Sequence, residues 1–521
     1  MWEYCAMCTG KPTTHRDPVI APKLPAVSLR KPGAASAARR SRCSLFLAFV
    51  LLSLLWACVN LFGQLALPPL PSSCIRRHLQ LQAAGSPKEG HLGWFRTGEL
   101  PGHGSGMDRP CLNFSEEYRQ RSAQSRGGRR WTRRGRFLIA VVSGGLNQQR
   151  NQIVDAVVIA RILDAALVLP VLQVNRVWGD ESEFSDIFDE RRFKRTLADD
   201  VKVISTLPSS HLGKRPAKGV PMPFGAGEAW VRAQYMRKLD RSGILLIRDL
   251  DSRLSKRLNP DLQKLRCKVA FQALRFRPWI EEIGESMARR MSEQGPYVAL
   301  HLRLEKDVWV RTGCSPGLGE AADRAVTEDR ASHPELLTSR SSLTPHERYL
   351  AGLCPLNATE LSILLRGVGM TRSTRIYWAG GEPFGGEEAL RPLTSSFSSL
   401  LSKWSLARPG ELDGLVHRPS VLGAIDYIVC LRSGVFLANH GGNMAKALQG
   451  HRAFMGYSGD VVPKKRLVVH LLQNKSLEED EIKDRLKRIH VESWDLSTLK
   501  TREKGGDAAI VSPIPGCMCT L

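Results

Sequence analysis

Several common sequence signatures are missing from this chain of 521 residues. No short-period repeat runs along it. The pair Gly144–Gly145 is not part of a GxGxxG fingerprint, so dinucleotide binding is not indicated. Cys5 and Cys8 have CxxC spacing but no second ligand pair nearby, which argues against a zinc site. The terminal CMCTL lacks a cysteine four residues from the end, which excludes a prenylation box.

Acidic residues are scarce relative to basic ones. The chain has 51 Asp and Glu against 75 Lys and Arg, for a net charge of +24. Such a charge suits nucleic acid, a membrane surface or an acidic polymer. The densest basic run, RGGRRWTRRGR at 126–136, has no heptads, no zinc spacing and no aromatic ladder. Nucleic-acid binding would rest on charge alone, and we expect no nucleic-acid partner.

A long apolar run occupies residues 44–67. It is long enough to cross a bilayer core of roughly 30 Å. Arg39, Arg40 and Arg42 precede it, and the positive-inside rule then leaves the N-terminus in the cytosol and the remainder in the lumen. A signal peptide would have a shorter apolar core and a shorter leader. The sequence therefore predicts a single-pass type II anchor.

A lumenal location would fit the features that follow the anchor. Asn-x-Ser/Thr acceptors for N-glycosylation occur at Asn113, Asn357 and Asn474. Eight of the 12 cysteines also lie beyond the anchor, and an oxidising lumen permits disulfides among them. Cys314 and Cys354 bracket a long polar excursion, and we expect a disulfide between them.

The first ordered segment after a Pro-, Gly-, Ser- and Arg-rich stem reads as a β-α-β unit. RFLIAVVSGG and ALVLPVL are short apolar runs typical of buried strands. Between them, residues 151–165 are apolar on most faces and predict a largely buried helix. Such a unit implies a parallel sheet with helices on its faces.

The same pattern returns later in PYVALHLR, TRIYWAG and GVFLAN. We therefore expect an α/β fold with two doubly wound, Rossmann-like domains facing a cleft. The predicted segments are a cytosolic tail (1–43), a transmembrane helix (44–67), a stem (68–134), an N-terminal Rossmann-like domain (135–292), a C-terminal nucleotide-sugar-binding domain (293–470) and an extension (471–521).

The first candidate binding element is the turn at Gly144 and Gly145. Glycines there permit positive φ and close approach of a ligand. The helix expected to begin near Asn151 would point free N–H groups at this turn, and Asn147 and Arg150 would add side-chain donors. These residues predict a site for an anion or a hydroxylated sugar; a tight turn that only packs is the alternative.

Two more elements lie at the ends of predicted strands, where ligands bind in open α/β sheets. In HLRLEKD, His301 and Arg303 share one face, and the planar guanidinium suits a phosphate. The alternative is a core arginine paired with Glu305 or Asp307. In NHGGNMAKALQG, a strand leads through a glycine turn into a helix that carries Asn443 in its first turn. Both halves of the chain thus contribute to one predicted site.

These motifs together resemble a known family. SGGLNQQRNQIVDAVVIARILDAALVLPVL, WGDESEFSDIFD, HLRLEKD, RIYWAGGEPFGGEEAL and AIDYIVCLRSGVFLANHGGNMAKALQGHRAFMGY resemble the plant protein O-fucosyltransferase-like family over roughly residues 136–460, with CMC near the terminus. The resemblance implies a GT-B fold, a Golgi type II anchor and metal-independent, inverting transfer from a nucleotide sugar, usually GDP-fucose, with no cofactor.

The resemblance also implies roles for single residues. Arg303 would contact the donor pyrophosphate and be required for activity, and Asn147 is the asparagine of the G-x-x-N motif. The predicted donor-binding residues are Gly144, Gly145, Asn147, Arg150, His301, Arg303, His440, Gly441, Gly442 and Asn443. The predicted catalytic residues are Arg303, Glu305 and Asp307.

A general base would help the transfer, but no carboxylate lies in the first glycine turn, so the candidates come from elsewhere in the chain. Glu305, Asp307 and Glu382 are the candidates that we consider. The triplet Asp249–Asp251 superficially fits a metal-binding D-x-D pair, but we interpret it as a solvated loop.

Some positions depart from the family pattern. Asp164 stands where many members carry Asn, Leu304 replaces a common aromatic residue, and VWVRTGC replaces the commoner MLAFSGC. Because some relatives transfer rhamnose from a UDP donor to pectin, GDP-fucose and UDP-rhamnose both stay open as donors. The acceptor is a glycan or a protein, with acidic cell-wall polysaccharide among the choices. A non-catalytic sugar-binding Golgi protein and a basic membrane-tethered scaffold are the other classes.

Overall fold

The computed structural model describes residues 109–123, 135–174, 179–337, 342–457, 459–491 and 516–519. The predicted tail and anchor, and most of the predicted stem, lie outside these ranges. No helix within them is long and apolar enough to cross a membrane.

Thirteen short strands lie in the described ranges. They are β1 (Arg109–Pro110), β2 (Phe137–Val142), β3 (Ala166–Val168), β4 (Val171–Leu172), β5 (Val203–Ile204), β6 (Ala217–Lys218), β7 (Ile244–Ile247), β8 (Val298–His301), β9 (Arg375–Ala379), β10 (Ser399–Leu401), β11 (Val435–Ala438), β12 (Asp460–Val461) and β13 (Met518–Cys519).

The strands form two parallel sheets and one small antiparallel pair. The first sheet has the order β5-β3-β2-β7-β6, with β4 also paired to β2, and the second has the order β10-β9-β8-β11-β12. Every pairing within these two sheets is parallel. The prediction of an α/β fold with parallel sheets is therefore confirmed. We call the chain from β2 to β7 (137–247) the N-lobe and that from β8 to β12 (298–461) the C-lobe.

Eighteen α-helices connect and cover the strands in the described part of the chain. They are α1 (Glu116–Ala123), α2 (Leu146–Leu163), α3 (Phe184–Ile187), α4 (Glu190–Thr196), α5 (Ser209–Leu212), α6 (Glu228–Ser242), α7 (Pro260–Cys267), α8 (Pro278–Ser292), α9 (Lys306–Thr312), α10 (Glu320–Ser332), α11 (Pro345–Leu350), α12 (Ala358–Gly367), α13 (Gly386–Ser396), α14 (Lys403–Leu406), α15 (Pro419–Arg432), α16 (Asn443–Phe454), α17 (Lys465–Gln473) and α18 (Glu479–Val491). A π-helix (Lys268–Ala273) and a 3₁₀ turn (Pro334–Leu336) complete the described helices.

One apolar core extends across both lobes. It includes the buried face of α2, the strands of the N-lobe sheet, and helices α8 and α15, which cover one face of the C-lobe sheet. A second core fills the other face of the C-lobe sheet. Because apolar burial is the main favourable term in folding, the shared core ties the lobes together.

Two predicted boundaries differ in the structure. Helix α2 begins at Leu146 rather than near Asn151, because the Gln148 side chain caps it by accepting the Gly145 N–H at 3.1 Å. The amides that look like a loop in the sequence are therefore the first turn of the helix. The predicted strand over residues 166–172 is split into β3 and β4 at Pro170, which has no N–H for the ladder.

Disulfides fasten two parts of the fold. The predicted bond between Cys314 and Cys354 is confirmed and closes the excursion that carries α10 and α11. A second bond, Cys267–Cys517, joins the end of α7 to the C-terminal segment, where β13 pairs with β1. The partners of this second bond are 250 residues apart, and no local pattern in the sequence indicates it.

The predicted glycosylation sites differ in their exposure. Asn113 and Asn474 are exposed, whereas Asn357 is half-buried. Asn357 also caps α12, since its side-chain oxygen accepts the Glu360 N–H at 3.0 Å. Modification at these three residues stays a prediction.

Candidate functional site

Arg303 lies in the arginine loop (residues 302–305), which follows β8 directly. Its backbone has φ of +54°, a left-handed conformation that costs a side-chain-bearing residue about 1–3 kcal/mol and is concentrated at functional sites. The preceding carbonyl, of Leu302, is fixed by the Asn439 side-chain amide at 2.7 Å. The Arg303 side chain is 26% exposed, so it is not enclosed in the core.

Glu305 joins the arginine loop to the β9 loop (residues 380–386). Its Oε1 accepts the Gly381 N–H at 2.9 Å and lies 3.8 Å from Nη1 of Arg303. Gly380 has φ of +137°, and a Cβ there would stand 3.0 Å from the same oxygen, so the contact needs glycine. Oε2 of Glu305 is buried without a hydrogen-bond partner among the described residues.

The second glycine loop (residues 439–443) follows β11 beside the arginine loop. Asn439 is buried and bonds both backbone groups of Leu356. His440 Nδ1 lies 3.0 Å from the Lys465 ammonium. At Gly441 and Gly442 open space surrounds the positions that a Cβ would take, which leaves room for a ligand at the start of α16.

Burial sets the protonation of the two histidines in this region. The pKa of His440 falls to about 3 because of burial and the nearby charges of Lys465 and Arg303. Burial lowers the pKa of Lys465 to about 8, so at neutral pH it carries a proton and has only hydrogens to offer. His440 Nδ1 therefore accepts, and Nε2 carries the N–H. Burial, with Arg303 and His440 nearby, also holds the pKa of His301 well below its usual range.

The first glycine loop (residues 143–146) follows β2 in the N-lobe. Gly144 has φ of +84°, and the Gln148 side chain occupies the position that its Cβ would take, so only glycine fits. Asn147, in the first turn of α2, is 8% exposed, and its Oδ1 has no hydrogen-bond partner within the described ranges. A buried amide oxygen without a partner is costly, and a bound hydroxyl would satisfy it.

The two glycine loops meet through their helices. The Asn151 amide in α2 donates to the Asn443 side-chain oxygen in α16 at 3.3 Å. Both helix N-termini carry unpaired N–H groups and the positive end of a dipole. The structure thus brings together the turns that the sequence singled out in separate halves of the chain.

Arg150 lies elsewhere. Its guanidinium is buried 4.6 Å from the ring centroid of Tyr427 and 5.1 Å from that of Phe276, and it donates to the Ala270 carbonyl at 3.2 Å. Burial lowers the pKa of this guanidinium. Its contacts are those of a packing residue between the lobes, not of a group facing a ligand.

The carboxylates of the region fall into two groups. Asp307 in α9 lies 3.4 Å from Arg311 Nε, and Glu382 is exposed in the β9 loop. In the N-lobe, Asp249 is exposed as expected of a solvated loop, but Asp251 is half-buried and accepts from the Gln148 amide at 3.4 Å. Asp251 thus stands beside the first glycine loop, at the end of the neighbouring strand β7. No three His, Cys, Asp or Glu side chains in the described ranges group as metal ligands do.

Several residues of the region escape sequence reasoning. Asp426 gives a usable signal, since it is the lone charge in the apolar helix VLGAIDYIVCL and such a residue requires a partner. Its partner is Lys403, at 2.9 Å. Lys465 and Asn151 give no comparable signal, because their contacts with His440 and Asn443 form only in the folded chain.

Comparison with known proteins gives consistent results. Residues 137–455 match the family described as GDP-fucose protein O-fucosyltransferase. O-fucosyltransferase 24 of Arabidopsis thaliana is 54% identical over 411 residues, covering 79% of this chain and 70% of that protein. Rhamnogalacturonan I rhamnosyltransferase 4 of the same plant is 35% identical, covering 70% and 76%.

Among solved structures, POFUT1 in complex with GDP-fucose is similar at 15% identity and a TM-score of 0.38, covering 61% of this chain and 96% of that one. A score this low carries no argument about function. The sequence relationships decide the matter, since the family match spans more than half of the chain and O-fucosyltransferase 24 is more than half identical to it. The chain therefore belongs to the GDP-fucose protein O-fucosyltransferase family, and it is a glycosyltransferase.

Proposed function

We propose that the chain transfers fucose from GDP-fucose to a hydroxyl group of a glycan or a protein, with inversion at the anomeric carbon and without a metal ion. The observation that carries the proposal is the setting of Arg303, a partly exposed cation in a left-handed backbone conformation beside neutral His440. The names of the relatives, O-fucosyltransferase 24 above all, support fucose as the sugar.

In this proposal the C-lobe holds the diphosphate of the donor. The planar guanidinium of Arg303 binds two phosphate oxygens, and the Nε2–H of His440 and the first N–H groups of α16 donate to others. Negative charge grows on the diphosphate as the bond to the sugar breaks. Fixed donors aimed at that charge lower the barrier, because they need no reorganisation during the reaction.

The acceptor then approaches from the N-lobe. Inversion requires attack on the face of the sugar opposite the leaving diphosphate. Glu305 and Asp307 belong to the C-lobe and are engaged by Gly381 and Arg311, whereas Asp251 stands on the N-lobe side. In the proposed step the acceptor oxygen bonds to the anomeric carbon, the bond to the diphosphate breaks, and Asp251 takes the hydroxyl proton.

The proposed cellular setting is a single-pass type II protein of the Golgi membrane with a lumenal catalytic part. The apolar run at residues 44–67, with arginines before it, supports the anchor. The Cys314–Cys354 and Cys267–Cys517 disulfides fit an oxidising compartment. Fractionation of the full chain, with protease protection of its lumenal part, tests this setting; a soluble, protease-accessible protein would contradict it.

A rhamnosyltransferase that uses a UDP-sugar on pectin is the second candidate. The 35% identical relative named rhamnogalacturonan I rhamnosyltransferase 4 favours it, and the net charge of +24 suits an acidic polysaccharide. A purely structural or sugar-binding role is set aside, because the chain is a glycosyltransferase.

The experiment is a panel of nucleotide sugars offered to the chain without its first 67 residues. We expect consumption of GDP-fucose; consumption of UDP-rhamnose alone would replace the first candidate by the second. Arg303→Ala should lower turnover by about 100-fold or more. Arg391→Ala is the matched control, since that arginine is 69% exposed on α13 and, among the residues that the structure describes, its ion-pair partner is Glu388 in the same helix. Full turnover by Arg303→Ala, with the control active, would refute the assignment.

A second variant separates donor binding from proton transfer. Asp251→Asn should lower donor consumption by about 100-fold or more while GDP binds with unchanged affinity. Arg303→Ala should weaken both. Unchanged consumption by Asp251→Asn would remove Asp251 from the mechanism and leave the role of Arg303 intact.

A further inference from the structure

A buried ion pair lies beneath the end of β9. Lys403 Nζ and Asp426 Oδ2 are 2.9 Å apart, and the two side chains are only 4% and 5% exposed. Lys403 begins the short helix α14, and Asp426 is in the middle of α15. Two separate elements therefore place opposite charges at one point in the C-lobe.

This pair holds both backbone groups of a single residue. Asp426 Oδ2 accepts the Gly380 N–H at 3.2 Å, and Lys403 Nζ donates to the Gly380 carbonyl at 2.7 Å. Asp426 also accepts from the Tyr377 hydroxyl at 2.5 Å. Tyr377 lies in β9, two residues before the strand ends. The last residues of β9 and the first of the β9 loop are thus fixed from both sides.

Gly380 in turn determines where Glu305 lies. The next residue, Gly381, donates its N–H to Glu305 Oε1, and that oxygen is 3.8 Å from the Arg303 guanidinium. Gly380 itself packs so closely on Glu305 that a Cβ would stand 3.0 Å from the carboxylate oxygen. A continuous set of contacts therefore runs from the buried pair to the arginine.

Stability alone is a weak reason for such a pair. Apolar residues of similar volume often stabilise a core as well as a buried ion pair does, because desolvating two charges is costly. What an apolar pair lacks is a donor and an acceptor for the two backbone groups of Gly380. The benefit of the charges is the geometry that they impose.

We propose that Lys403 and Asp426 are positioning residues for donor turnover, acting through Gly380–Gly381 on Glu305 and so on the guanidinium of Arg303. The proposal rests on the proposed role of Arg303 at the diphosphate. In this proposal neither side chain touches the donor. Both fix the β9 loop, and through that loop they orient Arg303, which binds the donor diphosphate.

The test compares Lys403→Met with the double variant Lys403→Met/Asp426→Asn. The single variant leaves a buried charge unpaired, which destabilises the fold, whereas the double variant removes both charges and keeps an oxygen for Tyr377 or Gly380. We expect the double variant to melt close to the wild type. Its GDP-fucose consumption should fall by about 100-fold, the scale of a misplacement of about 1 Å at a reacting centre.

Two further readouts separate positioning from a general structural effect. Amide hydrogen exchange should become faster in residues 380–386 and 302–305 of the double variant and stay unchanged in the N-lobe. Adding Glu305→Ala should cause little further loss of turnover, because both changes interrupt the same set of contacts.

Glu411→Gln is the matched control. The Glu411 carboxylate, partly buried, pairs with the Arg290 guanidinium at 2.7 Å. The backbone carbonyl of Arg290 accepts from the Arg375 side chain, which lies at the opposite end of β9. This variant should keep full turnover and normal exchange in the β9 loop. The positioning role would be overturned if adding Glu305→Ala to the double variant multiplied the two losses of turnover. Unchanged hydrogen exchange in residues 302–305 would overturn it as well. An Arg303→Ala variant that turns over normally would instead overturn the proposed function, and the exchange result would still decide whether the pair orders these loops.

Discussion

At the scale of single residues, the region depends on how burial tunes charged groups. Arg303 stays partly exposed, while His301 and His440 next to it have lowered pKa values and stay neutral. Neutral histidines avoid adding buried positive charge and still offer an N–H. Lys465, with a pKa of about 8, loses its proton within a pH range in which binding can be measured.

The affinity for GDP should therefore depend on Lys465. Its pKa is about 8, so the ammonium is present below that pH and is lost above it. We expect GDP to bind more weakly as pH rises from 7 to 9.5, since the ammonium near the proposed diphosphate site loses its charge. Lys465→Met should bind about tenfold more weakly at pH 7 and lose this pH dependence. Calorimetric titration measures both effects. Lys465→Arg should bind GDP with an affinity that does not depend on pH. A wild-type affinity for GDP that is constant from pH 7 to 9.5 would contradict the expectation.

At the scale of elements, the strand ends are what the sequence predicts well. β8, β9 and β11 are short apolar runs followed by polar or glycine-rich residues, and each was located within a residue or two. Arg150 shows where this reasoning stops. It is near the glycines in sequence, but its direction is set by Phe276 and Tyr427, which lie far along the chain.

Long-range contacts also explain the other gaps. The start of α2 depends on the side chain of Gln148, and the role of Asp426 depends on Lys403 from another helix. Polar clusters in a sequence indicate that partners exist; the fold decides which partners they are. Apolar periodicity is local and so predicts elements better than it predicts sites.

Among the elements, the excursion that carries α10 and α11 should depend on its disulfide. Replacing Cys314 and Cys354 by Ser reopens the loop and should lower the free energy of unfolding by about 2–4 kcal/mol. Urea unfolding measures this change. Reductant should lower the stability of the Ser variant less than that of the wild type, and Cys430→Ala, at a buried free cysteine, should leave the reductant effect intact. An unchanged urea midpoint in the double Ser variant would contradict the expectation.

At the scale of the whole molecule, the two lobes share a common apolar core. One apolar core includes N-lobe strands and helices α8 and α15. Asp180 reaches from the N-lobe to the start of α15, where its Oδ2 accepts the Ser420 N–H at 2.6 Å. Arg150 fills the junction beside Tyr427 on the same helix.

We therefore expect the lobes to unfold together. Scanning calorimetry of the chain without its first 67 residues should give one transition, with equal calorimetric and van't Hoff enthalpies. GDP at 100 times its dissociation constant should add about 2.7 kcal/mol of stability to the whole transition. Two resolved transitions, with GDP shifting only one, would contradict a common core. Asp180→Ala should lower the temperature of this single transition without splitting it in two.

The central claim is that turns from both lobes converge on the diphosphate of a nucleotide sugar, with Arg303 as its main ligand. A crystal structure of the chain with bound GDP tests it most directly. The account predicts both phosphates within hydrogen-bond distance of the Arg303 guanidinium and next to the start of α16, with Asn147 facing the same space. A diphosphate bound elsewhere, with the guanidinium of Arg303 turned away from it, would contradict the account.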